Sequence, residues 1–152
     1  MQPRLFIPKI CGDQSLLSLK AEVSNFRYEK FKKIGGYKLT ILNGVKVRNA
    51  LEKTIGDFLC ISNIKFRYEP YININQNCYF PDFLIDKVII EVTEWNRPSK
   101  SKINRLNNKI RAYLSGGYKV YFFIPFKSRN FYKELQCPVI STVSELRFFL
   151  PS

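Results

Sequence analysis

Asp82 and Glu91 stand with eight residues between them in an otherwise mostly apolar stretch, Tyr79 to Trp95, YFPDFLIDKVIIEVTEW. A lone carboxylate in a buried strand gives up hydration at a cost of several kcal/mol, or takes up a proton. A bound cation relieves that cost, and so does a polar cleft. Side chains in Val88 to Thr93 alternate between faces, so Glu91 and Thr93 project together while Val88, Ile90 and Val92 point the other way. An arm bearing Asp82, paired with this one, brings the two acids together. Paired carboxylates suit a hard ion such as Mg²⁺ or Mn²⁺, which takes oxygen ligands from one or two acids, water and phosphate. Such an ion activates water and stabilises charge on a phosphodiester.

Composition narrows the chemistry further. The 152-residue chain has no histidine, which removes the usual general base and the usual triads. Catalysis must then use carboxylates, lysine, tyrosine or a metal. The four cysteines, Cys11, Cys60, Cys78 and Cys137, are widely spaced and form no zinc-binding pair. Lys and Arg number 25 against 12 Asp and Glu, a net charge of +13. That excess favours a polyanionic partner, nucleic acid first and an acidic membrane surface second. No apolar run approaches the ~20 residues that cross a bilayer, and the N-terminus lacks a secretory apolar region. The expectation is an intracellular protein (cytoplasm, or host cell if viral) with no membrane role. Abundant Lys, Ile, Asn and Tyr point to an A/T-rich genome, archaeal or viral.

The acids need a scaffold, and the chain supplies periodic segments for one. A first helix is expected from Ser15 to Lys33, followed by a short strand within Tyr37 to Leu42. Val47, Leu51, Ile55, Phe58 and Leu59 predict a helix from about Val47 to Cys60, with one stripe packed inward. On the residues alone, Glu52 is a solvated glutamate at the edge of that stripe. Lys65 to Ile74 predicts one strand, at an edge or bulged because of Pro70. A hairpin turning at Asp86-Lys87 follows. Ser99 or Ser101 caps a helix whose apolar positions run from Ile103 to Leu114, up to Gly116-Gly117. Its other side carries Lys102, Arg105 and Lys109. Tyr118 to Ile124 is a buried strand, Pro138 to Ser141 a short one, and Thr142 with Glu145 caps a last helix. The expected order is helix, three antiparallel strands, helix, strand: an α/β fold around a mixed sheet, with the last strand parallel to a central one.

Pro81-Asp82, eight intervening residues and Glu91-Val92-Thr93 resemble the signature of the PD-(D/E)XK nuclease superfamily. The run VRNALEKTIGDFLCISNIKFRYEP also resembles segments of such nucleases in which a helical glutamate precedes a YEP strand. The resemblance covers about residues 45–125. It implies a restriction-endonuclease-like αβββαβ core in a single domain over 1–152, with an N-terminal accessory segment 1–44 and a C-terminal addition 126–152. It makes Asp82 and Glu91 metal ligands, adds the Val92 carbonyl, and gives Glu52 the completing or tuning acid. Glu69 is left to position backbone or a neighbouring arginine. Where the superfamily carries lysine, this chain has Thr93, so the positive charge must come from elsewhere. Lys109 and Lys102 are the candidates, and Lys100, Lys102, Arg105 and Lys109 are equally phosphate contacts or a solvated face. Glu94 falls on the face opposite Glu91 unless the strand has ended, and Trp95 is a core or rim aromatic before it is a base-stacking one.

The function implied is a Mg²⁺- or Mn²⁺-dependent DNA endonuclease acting on branched or structured DNA. The alternative is a catalytically impaired nucleic-acid-binding protein on the same fold. Cutting two strands calls for a homodimer. Phe126, Phe131, Tyr132, Phe148 and Phe149 are available either for its interface or for the core.

Overall fold

Local signals start and stop the helices of the computed structural model, which describes residues 36–150. The expected helix from Ser15 to Lys33 and most of the N-terminal accessory segment lie outside the described residues. Helix α1 (Ala50–Ile61) begins after Asn49, whose extended backbone lets its side chain accept the Glu52 N–H at 2.9 Å. The helix therefore starts three residues later than the apolar stripe predicts. Val47 belongs instead to β2 (Lys46–Val47), paired antiparallel with β1 (Leu39–Thr40).

The expected strand over 65–74 is broken in two. β3 (Arg67–Tyr68) ends where Glu69 turns to φ 46°, and Pro70 then supplies no ladder N–H. β4 (Ile72–Ile74) and β5 (Asn77–Tyr79) form a separate hairpin across Asn75-Gln76, both at positive φ as its tight turn requires. β6 (Phe83–Ile85) and β7 (Val88–Val92) form the hairpin expected around Asp86-Lys87, with Asp86 at φ 51°.

Helix α2 (Lys100–Ser115) is capped by Ser99, which accepts the Lys102 N–H, and stops at Gly116 with Gly117 at φ 87°. It carries the chain to β8 (Lys119–Phe123), which lies parallel to β7. A 3₁₀ segment (Phe126–Tyr132) leads to β9 (Val139–Ile140), parallel to β8. Helix α3 (Val143–Phe149) starts at Thr142, whose hydroxyl accepts the Glu145 N–H.

The result is a mixed α/β fold whose five-stranded sheet runs β3-β6-β7-β8-β9. Ile55 and Leu59 of α1 and Leu146 of α3 pack on Phe83, Ile85, Val88, Ile90 and Phe123 on one face. Ile103, Ile110 and Tyr113 of α2, with the β4–β5 hairpin, pack on Leu84, Ile89, Val120 and Phe122 on the other. No helix among the described residues is long and apolar enough to cross a membrane. Of the aromatics considered for an interface, Tyr132 is buried, while Phe126, Phe131, Phe148 and Phe149 are exposed.

Gly56 sits where α1 packs against Ile41 of the β1–β2 hairpin. A Cβ there would fall 2.8 Å from both Ile41 Cδ1 and Cγ2. Alanine in a helix interior ordinarily gains about 1 kcal/mol over glycine. Overpacking of about 1–3 kcal/mol opposes it here. Gly56→Ala is therefore expected to destabilise the protein, and combining it with Ile41→Ala should cost less than the sum of the single losses in urea unfolding.

Candidate active site

Central strand β7 places Glu91 on the α2 face, between apolar neighbours, where it is 5 % exposed. Helix α2 supplies what the buried charge needs. Tyr113 Oη donates to Glu91 Oε1 at 2.6 Å, and Lys109 Nζ lies 3.3 Å from the same oxygen. Tyr113 and Lys109 are four residues apart, so one helical face delivers both groups.

Asp82 precedes β6 and is likewise 5 % exposed. Its Oδ2 accepts the Val92 N–H at 2.8 Å, the amide directly after Glu91. The two acids are thus tied to the same peptide, across a hairpin that strand pairing holds in register.

Glu52 reaches the site from the opposite layer. It is buried, not the solvated glutamate of the residue pattern, and its Oε2 accepts the Arg48 N–H at 2.7 Å and the Tyr68 hydroxyl at 2.8 Å. Burial, then the charges of Glu69, Glu52 and Asp82, push the Tyr68 phenol well above its usual range. Tyr68 therefore remains a hydroxyl donor throughout the working pH range.

These acids line one cleft of about 420 Å³. Val92 and Thr93 line it too, as do Lys102 and Lys109 from α2. Lys100 and Arg105 lie exposed on α2 and are not part of its wall. The strand has ended at Val92, so Glu94 is exposed at the cleft rim instead of on the far side of the sheet. Trp95 joins the rim, 58 % exposed.

Arg48 is a cleft residue that the motif reading passed over. Its Nε lies 3.1 Å from Glu69 Oε2, and its guanidinium stacks 4.4 Å from the Tyr37 ring centroid. Glu69, fully buried, also accepts the Tyr37 hydroxyl at 2.6 Å. Burial works against the Arg48 charge, but the Glu69 carboxylate outweighs it and leaves its pKa raised. The only trace in the sequence is a cation four positions before Glu52. Tyr113, expected as a plain core residue, is the other addition.

The donor set suits a hard divalent cation to a limited extent. Asp82 and Glu91 both offer carboxylates to the cleft, and Val92, which lines it too, follows Glu91 directly. Among the described residues, no group of three or more His, Cys, Asp or Glu is placed to hold a metal ion. The fit is therefore to two carboxylates completed by backbone, water and phosphate oxygens, a common arrangement for Mg²⁺. Glu52 lines the same cleft and also anchors the Arg48–Asn49 turn that starts α1. Cys60, Cys78 and Cys137 are free thiols, and burial pushes the Cys137 thiol up to about 12.

Comparison of the chain with models of known families, with curated proteins and with solved structures finds no match.

Two outcomes follow from this geometry. Lys102 has its pKa lowered, first by burial and then by the charges of Lys109 and Arg105, with Glu91 opposing. A lowered value means that the ammonium loses its proton at a lower pH than an ordinary lysine. Side-chain NMR titration should show Lys102 deprotonating early as pH rises, with Arg105→Gln moving it back up. Glu69→Ala leaves the Arg48 charge without its buried partner and should cost about 3–5 kcal/mol in denaturant unfolding; a loss below about 1 kcal/mol would contradict the pairing.

Proposed function

We propose that this chain is a metal-dependent DNA endonuclease that hydrolyses phosphodiester bonds on a restriction-endonuclease-like core of the PD-(D/E)XK superfamily. One observation carries the reading: Asp82 bonds the peptide that follows Glu91, in a cleft that α2 furnishes with Lys102 and Lys109. The element order α1, β3, β6, β7, α2, β8 supports the αβββαβ core, with the β4–β5 hairpin as an insertion. The chain's +13 charge supports a polyanionic substrate.

Asp82, Glu91 and the Val92 carbonyl are the groups that would hold Mg²⁺ or Mn²⁺. Such an ion, when bound, supplies Lewis acidity and a more acidic water. Tyr113 keeps the Glu91 carboxylate in one orientation. Lys109, beside Glu91, brings the positive charge that Thr93 cannot provide, and meets the negative charge that builds on the phosphate. Lys102 offers a second phosphate contact. With no histidine in the chain, a carboxylate, a lysine or the phosphate itself is left to receive the water's proton. Branched or structured DNA is the proposed substrate, cut on both strands by a homodimer.

A second reading has a specific observation behind it. Thr93 stands at the motif's lysine position, with its Oγ1 3.4 Å from the Tyr132 hydroxyl. A catalytically impaired DNA-binding protein on this fold would tolerate that substitution.

Gel assays over duplex, branched and single-stranded DNA with Mg²⁺ or Mn²⁺ separate the two. Cleavage should vanish in Asp82→Ala and Glu91→Ala while binding survives, and Lys109→Ala should lower kcat by about 10²–10³-fold. Cleavage that persists in both acid variants would falsify the assignment. Binding that weakens as salt rises, without products on any substrate, selects the impaired protein.

A further inference from the structure

We propose that the rim of the cleft is a stacking platform for an unpaired DNA base, centred on Trp95, so that the cleft receives a single strand or a splayed end. The inference rests on the nuclease reading only in taking DNA as the polymer.

The Trp95 indole is 58 % exposed, yet its backbone is held at both ends. Its N–H donates to Thr93 Oγ1 at 3.4 Å, and its carbonyl accepts the Tyr132 hydroxyl at 2.6 Å. The next residue is held as well, since Ser128 Oγ donates to Asn96 Oδ1 at 2.8 Å. Arg97 then lies over the exposed Phe131 ring, 5.5 Å from its centroid. The loop after β7 is thus fastened to the 3₁₀ segment by its backbone and polar groups, while its aromatic ring is presented outward. A backbone already held in this way loses little further freedom when a base stacks on the ring it carries.

Charge accompanies the ring. Lys102 Nζ sits 4.7 Å from the Trp95 centroid and lines the same cleft as Asp82 and Glu91. Arg105 and Lys109 are near enough to act on Lys102 electrostatically. Phosphates can therefore run along α2 into the cleft while a neighbouring base covers the indole. In continuous duplex, base faces are occupied by their neighbours; in a single strand they are available to an aromatic side chain.

Trp95 is the chain's one tryptophan, so its fluorescence reports on this surface directly. In EDTA, an oligothymidylate of about a dozen nucleotides should quench Trp95, whereas a duplex sealed by loops at both ends should bind with much less quenching. Trp95→Ala should weaken oligothymidylate binding, read by anisotropy of a labelled strand, by roughly 5- to 150-fold. Trp95→Phe should recover most of that loss, and the sealed duplex should respond less than twofold to either variant. Equal quenching by the sealed duplex, or equal weakening of both ligands, overturns the proposal. So does a larger fluorescence change with phosphatidylserine vesicles than with oligothymidylate, or one produced by protein concentration alone, which would place a membrane or a second chain on the ring. The measurement uses neither metal nor cleavage. Quenching without metal-dependent cleavage would leave the platform standing and remove the nuclease, and cleavage without quenching would do the reverse.

Discussion

The charge of Glu91 in the middle of the sheet constrains everything around it. A carboxylate that is 5 % exposed has surrendered most of its water, at several kcal/mol. Two donors from one face of α2 offset this, Tyr113 at 2.6 Å and Lys109 at 3.3 Å. Hydrogen bonds to a charged group contribute about 1.5–3 kcal/mol each. Helix α2 must therefore lie over β7 at one rotation and one height. The apolar contacts of Ile103 and Ile110 allow that placement; the polar contacts select it.

The same requirement repeats at the other acids, met from different elements each time. Asp82 takes a backbone N–H of β7, Glu52 takes a phenol from β3 and the amide that precedes its own helix cap, and Glu69 takes Arg48. These contacts, with those of Glu91, fasten α1 to β3 and α2 to β7. Elsewhere the layers meet through apolar side chains, and are filled by volume instead of by partner. The cleft that results is lined by Glu52, Asp82, Glu91 and Glu94 together with Arg48, Lys102 and Lys109.

Beyond the acids, the end of β7 turns chemistry into access. The ladder runs one residue past the strand, with the Thr93 N–H bonded to the Phe123 carbonyl at 3.1 Å. Tyr132 then catches the Trp95 carbonyl. Thr93 thus sits between the strand and the loop that frames the cleft. Threonine is small enough to sit between Tyr132 and the Trp95 amide, with its hydroxyl 3.4 Å from each.

The sequence by itself determined the periodic features and the pairings they force. Two-residue alternation put Glu91 and Thr93 on one side of β7, and the turn at Asp86 brought Asp82 opposite, because strand geometry repeats without reference to the rest of the fold. Helical spacing, caps and glycine stops placed α2 and α3 to within a residue or two. What only the tertiary structure decided is which faces meet. Glu52 is 16 residues from Tyr68, and Arg48 is 21 from Glu69, the residue whose positive φ splits the expected strand. The Trp95 carbonyl is held by the hydroxyl of Tyr132, 37 residues away. Local propensity reports the shape of a segment and the face it buries. The partner that a buried charge or a strand-end loop acquires depends on long-range packing, for which no short window of residues carries a signal.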